Sequence, residues 1–141
     1  MSRLYARIFV PVDGSDVSTR AAREAVALAR DQKAEVRFFH CFDMRKASRE
    51  DVQEILDRAE ALAERAGVKA DEILMHCSTD NPSDAIVLEA RRWNAGLIVM
   101  GTHSRGGLKR MVLGSVAEGV VRHASVPVLL VRQPTRGKIL G

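Results

Sequence analysis

The sequence predicts an α/β fold: a single-domain open parallel sheet of five strands with helices on both faces. Five short apolar runs alternate with stretches patterned at helical spacing. The first, fourth and fifth runs are nearly all apolar at their centres, as strands covered on both faces require. Strict β–α alternation then implies right-handed crossovers, because a parallel neighbour cannot be reached by a hairpin.

Taken in order, the strands are expected at residues 4–12 (LYARIFVPV), 34–42 (AEVRFFHCF), 72–77 (EILMHC), 96–100 (GLIVM) and 126–131 (VPVLLV). After the first strand, Ala21, Ala22, Ala25, Leu28 and Ala29 form a stripe one helical face wide. The second stripe is Val52, Ile55, Leu56, Ala59, Leu62, Ala63 and Ala66, and Ser48 with Asp51 gives that helix a capping-box start. Asn81-Pro82 reads as N-cap and first helical residue of a third helix, with Ile86, Ala90 and Trp93 on one face. The last helix carries Val116, Ala117, Val120, Val121 and Ala124. The domain is expected over residues 1–132, with 133–141 (QPTRGKILG) as a short C-terminal tail.

With 141 residues the chain has the length of one domain and can bury a core without staples. No apolar stretch approaches the length of a membrane span, and the first residues lack a signal-peptide core, so a cytoplasmic location is expected. Cys41 and Cys77 are too few and too far apart for a disulfide framework or a CxxC redox motif. The net charge of +4 is modest, and one Tyr, one Trp and four Phe cannot build a stacking platform for single-stranded nucleic acid. A local anionic ligand suits the distribution better, since Arg105, Lys109 and Arg110 cluster in one stretch.

That stretch, GTHSRGGLKRMVLGS (101–115), follows the fourth strand directly. If the strand order is 3-2-1-4-5, it and the loop after the first strand, Pro11 to Asp16, flank the point where the order reverses, where ligands of such folds sit. It is not a Walker A loop, because Gly107 and Leu108 stand where that motif needs Lys and Ser or Thr after the second glycine. GxGxxG is also absent after the first strand. Gly101 instead permits a sharp strand exit, and Gly114-Ser115 opens a helix whose free N–H groups and dipole favour phosphate. The same residues also read as turn glycines, with Ser115 and Glu118 forming a capping box. Asp13 has two readings as well: a ribose or metal-phosphate contact, or an Asp-Gly turn residue.

The pairs His40-Cys41 and His76-Cys77 fall late on neighbouring strands. Adjacent strand residues point to opposite faces, so neither pair converges on one metal; no metal site is expected, and both cysteines are expected to be buried strand residues. The sequence holds no GxSxG, no HExxH and no paired carboxylates with a role, and no catalytic residue is assigned.

Over nearly its whole length the chain resembles the universal stress protein A family. The likeness is carried by Ile8-Phe-Val-Pro-Val-Asp-Gly-Ser15, Ala34-Glu-Val-Arg-Phe-Phe-His40, Ala95-Gly-Leu-Ile-Val-Met-Gly-Thr-His103, Val112-Leu-Gly-Ser115 and His123-Ala-Ser-Val-Pro-Val-Leu-Leu-Val131. The resemblance implies the order 3-2-1-4-5 and a homodimer through the last strand, Val128–Val131, whose apolar edge would otherwise be exposed. It also implies the signature Gly-x-x-Gly, nine residues, Gly-Ser/Thr, here Gly101-Thr-His-Ser104, nine residues, Gly114-Ser115. By the same likeness Pro11, Val12 and Asp13 approach adenine and ribose, and Cys41 flanks the adenine. Gly101, Thr102, His103, Ser104, Arg105, Gly114, Ser115 and Val116 complete the expected nucleotide site. Two positions depart from the family pattern: Ser104, where glycine permits positive φ, and Asp80, where many relatives carry glycine.

The implied function is that of an adenine-nucleotide binding protein, with ATP or a related nucleotide and Mg²⁺, serving as a stress-response sensor or regulator. Any ATP hydrolysis or autophosphorylation is expected to be slow. The alternative is a non-nucleotide member of the family that works as a dimeric protein-interaction module. An unknown regulatory protein is the expected partner in either case; nucleic acid and membrane are not.

Overall fold

The computed structural model describes residues 5–79, 81–103 and 113–133. Nine elements alternate: β1 (Arg7–Pro11), α1 (Asp16–Gln32), β2 (Glu35–Phe42), α2 (Arg49–Arg65), β3 (Ala70–His76), α3 (Ser83–Arg92), β4 (Leu97–Gly101), α4 (Ser115–His123) and β5 (Val128–Val131). The strands form one parallel sheet in the order β3-β2-β1-β4-β5. The expected fold class and strand order are both observed. The expected tail lies almost wholly outside the described residues.

Period-two alternation along each strand divides the core into two layers. Ile8, Val10, Val36, Phe38, Leu97 and Val99 face one way, and the apolar stripes of α1 and α2 cover them. Phe9, Phe39, Ile98 and Met100 face the other way, under Ile86 and Ala90 of α3 and Ala117 and Val120 of α4. Each fully buried Val, Ile or Phe contributes roughly 1.5–3 kcal/mol relative to exposure, so both layers are needed. The chain changes layer at the β3-to-β4 crossover, and that change reverses the strand order between β1 and β4.

The helix ends follow local chemistry. Ser15 N-caps α1 through its side chain, and the capping box of α2 is complete, with Ser48 Oγ accepting from Asp51 N and Asp51 Oδ2 from Ser48 N. At α3 the expected N-cap moves by one residue. Pro82 takes the N-cap position and Ser83 the first helical one, while the Asn81 side chain accepts from Ser83 N at 3.1 Å. Asn81 thus supplies the capping oxygen from one residue further out. Where α3 meets α4, Gly119 faces Ser83: a Cβ on Gly119 would stand 2.7 Å from Ser83 Cβ. The two helices cross closely because that glycine has no side chain.

Candidate functional site

A cleft opens where β1 and β4 part. The two strands pair only at Ile8 with Leu97 and Phe9 with Ile98. Beyond that point β1 stays with β2 as far as Pro11, and β4 stays with β5 as far as Gly101. The carboxyl ends therefore diverge around a cavity of about 200 Å³. Its β1 side is Pro11, Val12 and Asp13, and its β4 side is Met100, Gly101 and His103. Phe39, His40 and Cys41 from β2 and Pro82 and Ile86 at the start of α3 close one end, and Val116 and Ala117 of α4 the other.

On the β1 side, Gly14 has φ +84°, the left-handed turn geometry that favours glycine. Asp13 Oδ1 accepts from Ser15 N at 2.9 Å, and Ser18 Oγ accepts from Asp13 N at 2.9 Å. The turn reading of Asp13 is therefore realised, in a residue that also lines the cavity. Both backbone polar groups of Val12 are engaged: its N–H donates to Phe39 O at 2.8 Å, and its carbonyl accepts from His40 Nδ1 at 2.7 Å. Burial pushes the His40 pKa below its ordinary value, against the opposing pull of the Val12 carbonyl and the Asp13 charge. The imidazole is accordingly neutral at pH 7, with the proton on Nδ1 and an acceptor lone pair on Nε2.

The β4 side depends on two glycines that lack room for a side chain. A Cβ on Gly101 would meet Val17 Cγ1 at 3.0 Å, and one on Gly114 would meet His103 Cα at 2.9 Å. Neither has positive φ among the described glycines, so close approach rather than turn geometry is what demands glycine there. Gly114 N donates to Thr102 O at 2.8 Å, which brings the two ends of the glycine-rich stretch together. Gly114 is the N-cap of α4, with no side-chain cap bond. The Ser115–Glu118 capping box does not form, because Ser115 is already helical and Glu118 pairs with Arg122 at 2.8 Å.

The sequence model of the universal stress protein family matches residues 4–132. The chain belongs to the universal stress protein family. Among curated universal stress proteins, it is 36% identical to MJ0531 of Methanocaldococcus jannaschii, covering 94% of this chain and 85% of that one. A universal stress protein crystallised in complex with cAMP superposes with a TM-score of 0.75 at 29% identity, covering 91% of this chain and 97% of the other. The universal stress protein from Archaeoglobus fulgidus in complex with dAMP has a TM-score of 0.71 at 30% identity, covering 92% and 99%.

Of the residues expected at the site of this universal stress protein, Pro11, Val12, Asp13, Cys41, Gly101, His103 and Val116 line the cavity. Thr102 and Gly114 stand beside it, joined by their backbone hydrogen bond, and Ser115 is exposed at the start of α4. Ser104 and Arg105 lie outside the described residues, as do Asp80, Lys109 and Arg110. Sequence reasoning missed Ser18, Phe39, His40, Pro82, Ile86, Met100 and Ala117. Phe39, His40 and Met100 were within reach, since each sits one to three positions from the carboxyl end of β2 or β4, the two strands that flank β1. Ser18, Pro82, Ile86 and Ala117 carry no comparable signal, because helix packing alone brings them in.

The cysteines require a correction. Cys41 and Cys77 are bridged, with a Cα–Cα distance of 5.7 Å. Parallel register explains how residues 36 apart in sequence meet. Cys41 is level with Met75, so Cys77, two residues further on, shares the same face. The histidines of the two pairs go to the opposite face, where His76 packs edge-on against Phe42. Among the described residues, no three His, Cys, Asp or Glu side chains converge as metal ligands.

Proposed function

We propose that this universal stress protein binds an adenine nucleotide, ATP or a close relative, in the β1–β4 cleft, and that it acts as a stress-response sensor or regulator. The observation that carries this reading is the divergence of β1 and β4 at the topological switch point, between the Asp13 turn and the Gly101–Gly114 closure. The residues present fit such a ligand. Val12, Phe39, Ile86 and Met100 supply an apolar slot for a flat base. Asp13 stands at the rim with a carboxylate for ribose hydroxyls. Gly114 leaves the N-terminus of α4 uncovered by any side-chain cap, next to a contact that a Cβ would obstruct. The nucleotides in the cAMP and dAMP complexes of relatives support the adenine class. A Mg²⁺ ion fits as a companion of the phosphates, which bring most of its oxygen ligands.

The same reading extends to assembly and location. β5 is an edge strand with Leu129 43% exposed, and pairing with a second copy would cover it. No helix of the described residues is long and apolar enough to cross a membrane, and a cytosolic regulator is the role we assign.

Isothermal titration with ATP and Mg²⁺ tests the proposal. The wild-type chain is expected to bind. Asp13→Asn keeps an oxygen for Ser15 N, and so the turn, but removes the charge; it should weaken ATP by about tenfold to a hundredfold with little change in melting temperature. Absence of both heat and thermal stabilisation at ~1 mM ATP would refute nucleotide binding.

A further inference from the structure

We propose that Cys41 and Cys77 form a modification site: a dithiol that peroxides oxidise to the bridge, and whose oxidation state sets the nucleotide affinity of the adjoining cleft. The second half of this proposal rests on the nucleotide reading above.

Four observations support it. The two cysteines share one face of neighbouring strands at a Cα separation of 5.7 Å, the usual spacing for a bridge. Both are only partly buried, so a small oxidant or reductant can reach them. Reduction would leave the sheet intact, because seven residue pairs already join β2 to β3 and Cys77 N donates to Phe42 O at 2.8 Å beyond them. The bridge also fastens the cavity wall at Cys41 to the start of the connection that leads to a second wall residue. Cys41 lines the cavity, and Cys77 begins the short segment that ends at Pro82, which lines it too. One bridge in a chain with its own sizeable core is better suited to switching than to stapling the fold.

The chemistry balances with hydrogen peroxide as oxidant. One thiolate attacks a peroxide oxygen; the O–O bond breaks, an S–O bond forms, and hydroxide leaves. The second thiol sulfur then attacks the sulfenic sulfur, forming S–S and releasing the oxygen as water. Overall, two thiols lose two protons and two electrons, and the peroxide takes them up to become two waters. A dithiol reductant reverses the change.

Holding Cys41 against the segment that leads to Pro82 pre-organises this wall, so the ligand does not have to order it on binding. The oxidised protein is therefore expected to bind ATP about fivefold more tightly than the reduced protein.

The test uses the full chain, reduced with dithiothreitol and desalted. Peroxide treatment should remove both of its two thiols, lower the intact mass by two hydrogens, and be undone by dithiothreitol. ATP titration of both forms should show the fivefold difference. Cys77→Ser in reductant should match the reduced wild type, with circular dichroism confirming the fold. Persistent thiols, or a gain of oxygen in place of the bridge, would overturn the modification site. Equal or weaker affinity after oxidation, or Cys77→Ser binding like the oxidised protein, would overturn the coupling while leaving nucleotide binding in place. No ATP binding in either state would overturn the coupling together with the proposed function.

Discussion

Glu72→Gln should stabilise this protein in alkaline solution and do nothing for it in acid. Glu72 lies on β3 and points at α2, where Gln53 donates to its Oε1 and also to Asp57 at 3.0 Å. Its Oε2 is out of solvent and accepts no hydrogen bond among the described residues. That burial, joined by the neighbouring Glu60 and Asp57 carboxylates, pushes the Glu72 pKa from the ordinary 4.5 up to about 7. Between those values the folded state holds a proton that the unfolded chain has released. The resulting stability is complete below pH 4.5 and is lost as pH rises through about 7. At about 1.36 kcal/mol per tenfold change in proton affinity, the ceiling is about 3.4 kcal/mol. Glu72 is only partly buried and solvent screens its neighbours, which reduces the expectation to about 1–2 kcal/mol. Glutamine carries the neutral form permanently, and its amide can donate to Glu60 as the retained proton does. At pH 8.5 the variant should therefore melt about 3–8 °C above wild type, and at pH 4.5 the two should coincide. Urea or thermal unfolding of both proteins across this range is the assay. A difference that stays constant with pH, or a variant less stable at pH 8.5, would refute the assignment of the strain to the Glu72 charge.

Two further outcomes follow from packing. Gly119→Ala forces a methyl against Ser83, at the closest approach of α3 and α4, and should cost about 1–3 kcal/mol in unfolding free energy; adding Ser83→Gly should recover most of that loss. If β5 pairs with a second copy, Leu129→Lys puts a charge into that interface, and sedimentation should show a shift from dimer to monomer with the monomer still folded.

The fold was largely legible because its signals are local and redundant. The strands were each located within a few residues of their observed bounds, and the capping box at Ser48 and Asp51 is present as read. Boundaries drifted where burial and pairing diverge. The run expected from residue 4 keeps Tyr5 and Ala6 outside the strand: β1 begins only at Arg7, where its pairing with Glu35 of β2 begins. Around the site, residues near strand ends could be read from the topology, whereas Ser18, Pro82 and Ile86 arrive from helices whose approach depends on packing. The sequence reads Gly101 as a sharp strand exit and Gly114 as a helix start; the packing adds that both positions need glycine for close approach, with no positive φ at either.

The Cys41–Cys77 bridge marks where reading along the chain stops. Sequence distance suggested two unrelated thiols, but proximity in a parallel sheet depends on register, and register is a property of two strands together. Alternating apolar runs, helical stripes and cap residues determined the class of fold by themselves, because each is dictated by the chemistry of a few neighbouring residues. Only the tertiary structure decided that β1 and β4 part after Phe9 and Ile98, that His40 turns to the Val12 carbonyl, and that Cys41 meets Cys77. Each of these depends on how far one strand is shifted against the next, and that shift is fixed by the packing of both core layers at once.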